Sequence, residues 1–176
     1  MALGCSLAQN ITRASNCQYT LNEIAEIYLT DYDNMGAISA STDTGSCSGT
    51  SVVSIESSGA TWYKIEVAKG SASFTDELVV EDSGNKYRTH TITFNTVGAF
   101  TTCMNKALDD LSLGKYIAIV KTANGRIMLG RTLGLEATTA TLAGGSDQNG
   151  LQIVLAGNAT EAALPVPDSI ELNFGS

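Results

Sequence analysis

The clearest pattern in the chain is an alternation of apolar and polar residues between Ser71 and Asn95. It predicts a hairpin whose strands run from Ser71 to Glu81 and from Lys86 to Asn95. The apolar side is expected to face a core and carries Phe74, Leu78, Val80, Ile92 and Phe94. The other side carries Ser73, Thr75, Glu77, Glu81, Tyr87, Thr89, Thr91, Thr93 and Asn95, with Val79 as the exception. A sheet with one buried and one solvated face is therefore expected.

The period then changes from that of a strand to that of a helix. Apolar residues recur with helical spacing at Val97, Phe100, Met104, Ala107, Leu108 and Leu111. An amphipathic helix from Val97 to Ser112 is predicted, with Asn95 or Thr96 as its N-cap and Gly114 at its end.

Further strands are predicted on both sides of these elements. Asn124-Gly125 between two apolar runs is a strong hairpin signal. The predicted strands cover residues 23–30, 62–68, 115–121, 126–130, 135–142 and 151–156, and a short one covers 52–55. The expected fold is mainly β: a β-sandwich or flattened barrel with one flanking α-helix, forming a single domain over residues 1–176.

Three segments lie outside this regular pattern. An N-terminal arm is expected over residues 1–20. Serine, threonine and glycine occupy 15 of the 26 positions from 35 to 60, which predicts a long interaction loop. An extended C-terminal arm is expected over residues 160–176, because Pro165 and Pro167 remove backbone donors.

Charge limits the function. The 176 residues carry a net charge of −8, which argues against a protein that grips nucleic acid. Residues 1–60 and 136–176 each carry −5, whereas residues 61–135 carry +2. Two interpretations stay open: a solvated acidic surface, or like-charged faces of which one meets a complementary patch on a neighbouring copy.

Residues for catalysis or metal binding are scarce. His90 is the single histidine and lies within a predicted strand. Cys5, Cys17, Cys47 and Cys103 show no zinc-ligand spacing, and Cys103 falls on the predicted helix. The sequence therefore predicts no enzyme, no metal and no cofactor. No apolar run reaches the length of a membrane span, so no membrane association is expected.

The order of elements, together with several short motifs, resembles one family. The stretches that carry the resemblance are Leu21–Leu29 with Asp31-Tyr32-Asp33, Trp62–Glu66, Ala72–Glu77, Tyr116–Val120, Asn124-Gly125 and Gly134–Thr138. Through them the chain resembles the major tail tube proteins of tailed bacteriophages, in particular a branch found in Bacteroidetes-type phages and prophages. It departs from them in its longer 35–60 loop and its few aromatic residues.

The resemblance implies a structural virion protein. It implies hexameric rings that stack into a hollow tail tube through which DNA passes without specific binding. The implied partners are further copies of the chain and other tail proteins, namely a terminator, baseplate or sheath. The implied location is the virion tail, assembled in the cytoplasm of the host bacterium.

In such a tube the solvated face of the hairpin is the expected lumen lining. The lining residues would be Ser73, Thr75, Glu77, Glu81, Thr89, Thr91 and Thr93. Six copies at −8 give about −48 per ring, so the conduit is expected to be acidic and to repel DNA phosphates. Ring-to-ring contacts are expected from the loop and the C-terminal arm, at Asp43, Val52, Val53, Ile55, Pro165 and Val166, since flexible segments order on binding.

Three other functions are compatible with the same residues. One is another β-sandwich virion component, such as a tail-completion or head-decoration protein. A second is the tube protein of a type VI or contractile injection system. A carbohydrate-binding module or adhesin is less favoured, because only Trp62 is available for an aromatic platform.

Overall fold

The computed structural model describes residues 24–42, 49–56, 60–65, 67, 70–95, 102–144 and 149–174. Its strands are β1 (Ile24–Asp31), β2 (Ile38–Thr42), β3 (Thr50–Ile55), β4 (Tyr63–Ile65), β5 (Ser73–Val80), β6 (Lys86–Asn95), β7 (Lys115–Thr122), β8 (Gly125–Leu129), β9 (Leu135–Gly144), β10 (Asn149–Ala159) and β11 (Leu164–Val166), and its helix is α1 (Thr102–Leu113). The described chain is mainly β with one helix, which confirms the predicted fold class.

The strands form two layers that meet at β7. One edge of β7 pairs with β1, and the opposite edge pairs with β8 and, at Lys115 and Tyr116, with β9. We call β4-β1-β7-β8-β11 the back sheet and β9-β10-β6-β5 the front sheet. Apolar side chains from both sheets fill the space between them, among them Ile27, Val120, Ile92, Phe94, Ile153 and Leu155. The result is a sandwich-like fold and not a closed barrel.

The central strands of the back sheet, β1 and β7, are buried on both faces over residues 27–30 and 116–120. The second face of this sheet packs against a hairpin formed by β2 and β3, through Tyr28, Ile119 and Val52. The expected loop over residues 35–60 therefore contains two paired strands. The short strand at residues 52–55 was predicted as part of β3, whereas β2 was missed because its serines and threonines gave no apolar run.

The β5–β6 hairpin forms as predicted, but its inner face differs from the prediction. Phe74 lies opposite Ile92 near the core. Further along the same face come Asp76 opposite His90, and then Leu78, which is 54% exposed. The inner face is therefore apolar at one end only.

The described part of the helix runs from Thr102 to Leu113, and residues 96–101, where the helix was predicted to begin, lie outside the described part of the chain. Leu111 packs into the core between the sheets. The N–H of Gly114 donates to Asp110 O at 3.1 Å, which ends the helix where it was expected to end. A side chain at Gly114 would collide with the Tyr116 ring, so glycine permits this close turn.

The segment predicted as an extended C-terminal arm pairs with its own chain. β11 pairs with β8, and Pro165 takes a position in this outer strand. Arg126 donates to the carbonyl of Ile170 at 3.0 Å and to that of Pro167. The N–H of Trp62 donates to Asn173 O at 2.8 Å. The expected N-terminal arm lies outside the described residues.

Candidate self-assembly surface

Six of the seven expected lining residues lie together on the outer face of the front sheet. In the β5–β6 ladder, Ser73 is opposite Thr93, Thr75 is opposite Thr91, and Glu77 is opposite Thr89. The three residues on β5 are exposed, and the three threonines are half-buried between the neighbouring strands. Because the side-chain period of a strand is two, all six point away from the core.

The seventh, Glu81, lies just beyond the end of β5 in the turn of the hairpin. Its carboxylate accepts hydrogen bonds from the Ser83 hydroxyl at 3.2 Å and from the Asn85 amide at 3.3 Å. Glu81 thus closes the hairpin tip and does not belong to the regular rows of the outer face.

The outer face continues across β10 and β9. Its further members, read from the strand register, are Gln152, Val154, Ala156 and Asn158 on β10, and Glu136, Thr139 and Thr141 on β9. No lysine or arginine occupies an outward position in these four strands, and the carboxylates are those of Glu77 and Glu136. The outer face is therefore mainly a neutral surface of hydroxyls and amides, and the net charge of −8 is not concentrated on it.

Behind this face lies a buried polar cluster around His90, which is 2% exposed. The N–H of Gly130 donates to His90 Nδ1 at 3.1 Å, and His90 Nε2 lies 3.5 Å from the carboxylate of Asp76. Asp76 also accepts from Arg88 Nη1 at 3.0 Å and from the N–H of Ala163 at 2.9 Å. The cluster ties the front sheet to the turn after β8 and to the segment that leads into β11.

Burial determines the charge state of His90. Desolvation lowers the pKa of its imidazole, while the negative charges of Asp76 and Glu161 act in the opposite direction. A nitrogen that accepts from a backbone N–H carries no proton, so the neutral ring holds its proton on Nε2, facing Asp76.

A second charged cluster lies on the back sheet. Lys64 and Lys121 flank the carboxylate of Glu26 at 2.6 and 3.2 Å, and Tyr28 donates its hydroxyl to it. The hydrogen bond from Lys64, followed by that from Tyr28, lowers the pKa of Glu26 to about 2. Burial and the same hydrogen bond raise the pKa of Tyr28 to about 12. Two of the lysines in residues 61–135, the segment with a net positive charge, are thus neutralised by a carboxylate of the same chain.

The residues expected at ring-to-ring contacts lie in different environments. Val52 and Val166 are buried in their own chain, within the cluster that covers the back sheet. Val53 and Pro165 are exposed, and Ile55 is half-buried. Asp43 lies outside the described residues. Among the described members of this set, Val53 and Pro165 are the exposed ones.

The two open edges of the front sheet could not be predicted from the hydrophobic pattern. Among the described residues, no strand pairs with the outer edge of β5, and β7 pairs with β9 only at Leu135 and Glu136. Apolar side chains are exposed on both edge strands: Leu78 and Val80 on β5 are 54% and 57% exposed, and Leu142 on β9 is 56% exposed. Alternation alone had assigned the two β5 residues to the core, because it does not show which strand ends extend past their neighbours.

No family model, no curated protein and no solved structure matches the chain. Within the described residues, no helix is long and apolar enough to cross a membrane. The same residues contain no group of three or more His, Cys, Asp or Glu side chains arranged to hold a metal ion.

Proposed function

We propose that the chain is a structural virion protein whose copies form stacked hexameric rings, the tail tube through which DNA leaves the capsid. The proposal rests on two properties of the front sheet, its outer face and its edges. The outward positions of its four strands carry no basic residue, and the one lysine beside them, Lys115 of β7, is paired with Glu136 at 3.6 Å. Among the described residues both edges of the sheet offer unpaired backbone groups.

The strand directions suit closure into a ring. All pairings in the front sheet are antiparallel, so β5 and β9, at its two ends, run in opposite directions. When β9 of one copy lies beside β5 of the next, that new pair is antiparallel as well. Four strands from each of six copies make a barrel of about 24 strands, wide enough to leave an open channel. Ring closure also removes edges that would otherwise invite uncontrolled aggregation.

The chemistry of the outer face suits a conduit. A phosphate backbone is held by lysine and arginine, and the outward positions of the front sheet carry neither. Rows of threonine and serine hydroxyls stay hydrated, and Glu77 adds one negative charge per copy. Such a wall presents no unpaired cation from its own strands, because the neighbouring Lys115 is paired with Glu136.

Self-assembly tests the proposal most directly. The purified chain is expected to form rings of uniform diameter, or tubes, in negative-stain electron micrographs. Its mass in analytical ultracentrifugation should include a species of six copies. A monodisperse monomer at high protein concentration would reject the proposal.

A further inference from the structure

The turn between β8 and β9, residues 130–134, is held to the front sheet through a histidine. The N–H of Gly130 donates to Nδ1 of His90 on β6 at 3.1 Å. The turn is closed by a hydrogen bond of 2.8 Å from the N–H of Gly134 to the carbonyl of Gly130. Both glycines have positive φ angles, of 75° and 74°. Because glycine crosses between backbone conformations at little cost, both ends of the turn can act as hinges.

The same turn holds the β2–β3 hairpin. Arg131, the residue after Gly130, donates to both carboxylate oxygens of Glu161, in the connection between β10 and β11, at 2.6 and 2.5 Å. Its Nη1 also donates to the carbonyl of Ile38 on β2 at 3.2 Å. One arginine thus joins the hairpin, the turn and the segment that follows the front sheet.

The contact between the turn and the front sheet depends on one titratable group. His90 is the single histidine among the 176 residues. Of the unperturbed side chains, only histidine changes its charge between about pH 5 and 8. The charged groups that face it are Asp76 of β5, Arg88 of β6 and Glu161, which is itself paired with Arg131. A change in this contact at mildly acidic pH therefore has one source in the described chain.

Protonation acts differently on the two sides of the imidazole. On the Nε2 side, the carboxylate of Asp76 lies 3.5 Å away and attracts an imidazolium. Asp76 is itself fixed by Arg88 at 3.0 Å and by the N–H of Ala163 at 2.9 Å. On the Nδ1 side, a new N–H would point at the N–H of Gly130, so two donors would meet. The ring is thus retained by Asp76, and the turn is the side that must move.

We propose that residues 130–134 form an acid-operated latch: protonation of His90 releases the N–H of Gly130 and opens the turn, while the front sheet stays folded. Since Arg131 moves with Gly130, opening loosens the polar link to the β2–β3 hairpin at Ile38. The latch lies within one chain, so it is independent of the proposed ring function.

Nuclear magnetic resonance of the unaltered chain tests the latch without a substitution. The Cε1–H signal of the single histidine reports its protonation. The amide of Gly130 should shift with the same midpoint, below 6.5, and its protection against hydrogen exchange should fall several-fold between pH 7 and 5.5, by up to about tenfold per pH unit. The amide of Ala163 is the internal control: it donates to Asp76 on the other side of the ring and should keep its protection. Equal losses at both amides, or a protonated His90 with an unchanged Gly130, would overturn the latch.

His90→Gln provides the matched variant, because its side-chain carbonyl accepts from Gly130 and does not titrate. Hydrogen exchange is followed by mass spectrometry in peptides covering residues 36–42, 128–134 and 150–156. At pH 5.5 the first two should lose protection in the unaltered chain and keep it in the variant, whereas the third should stay protected in both. Loss in all three peptides would indicate acid unfolding and overturn the latch. Loss in residues 128–134 alone would overturn the link to the hairpin. If circular dichroism shows that the variant does not fold, the resonance measurement on the unaltered chain decides.

Discussion

At the scale of single residues, His90 shows how the two sheets are held together by polar contacts. Its Nδ1 accepts from the N–H of Gly130, and its Nε2 faces Asp76. Protonation would place two donors, the Gly130 N–H and an Nδ1–H, against each other inside the protein. The hydrogen bond from Gly130 to His90 therefore requires a neutral imidazole. In the unfolded chain the same imidazole can bind a second proton.

This difference in proton binding predicts a pH dependence of stability. The pKa of His90 is lowered on folding, so its contribution is fully present above the unfolded value of 6.5 and is lost as the pH falls toward the folded value. The free energy of unfolding should drop by up to about 1.4 kcal/mol per pH unit below 6.5. Urea unfolding between pH 7.5 and 5.5 measures the slope. His90→Gln should be less stable at pH 7.5 but show a flatter profile, and an unchanged slope in that variant would contradict this assignment.

At the scale of elements, the front sheet depends on one close backbone approach. Gly157 of β10 lies opposite His90 of β6. A Cβ at this position would lie 2.1 Å from the carbonyl oxygen of Gly134. Gly134 has a φ of 74° in the tight turn that leads into β9. The three nearest atoms are all backbone atoms of Gly134 and Leu135, which cannot move aside as the end of a side chain could, so glycine is required here.

Gly157→Ala is therefore expected to lower the free energy of unfolding by about 3 kcal/mol, because it overpacks two backbone segments. Gly144→Ala is the matched control in the neighbouring strand: a Cβ there meets nothing within 4 Å. Its effect should stay within about 0.5 kcal/mol. Equal effects of the two substitutions in chemical denaturation would contradict the close approach.

Local patterns predicted most elements, and the failures share a cause. Alternation located β5 and β6, and Asn124-Gly125 located the β7–β8 hairpin. β2 has too few apolar residues to be recognised, and pairs only because β3 and the back sheet offer a surface. The residues on the outer face of the front sheet were predicted from the alternation of polar and apolar positions alone. The open edges and the exposure of Leu78 depend on which strands become neighbours, and that is fixed by long-range contacts.

The edge strands allow a test of assembly that is separate from folding. Leu78→Glu combined with Val80→Glu places charges on side chains that are more than half exposed in the isolated chain. Unfolding free energies should change by about 0.5 kcal/mol or less, whereas rings and tubes should be lost because two carboxylates would be buried between copies.

Leu133→Glu is the control for that variant, since Leu133 is 49% exposed and lies in the turn between β8 and β9. It should assemble like the unaltered chain in sedimentation and micrographs. Assembly of the doubly substituted edge variant would show that β5 is not part of a contact between copies.

At the scale of the whole molecule, the two sheets differ in how much of their surface is covered. The centre of the back sheet is covered on both faces, by the front sheet on one side and by the β2–β3 hairpin and the C-terminal segment on the other. The front sheet is covered on one face only. The chain thus supports a solvated, weakly charged surface on a well-packed base, and most of its acidic residues lie elsewhere.

The absence of basic residues from that surface leads to the last prediction. Glu77→Lys with Thr91→Lys adds three positive charges per copy to the outer face, or about 18 per hexameric ring, and each pairs with phosphate by long-range attraction. Both side chains point to solvent, so folding and tube formation should persist. Phage carrying the variant should eject DNA at least several-fold more slowly, with the delay reduced as salt is raised.

Asp109→Lys with Leu113→Lys adds the same charge on exposed positions of α1 and should leave ejection unchanged. Equal ejection rates for the two variants would place the outer face of the front sheet away from the path of the DNA.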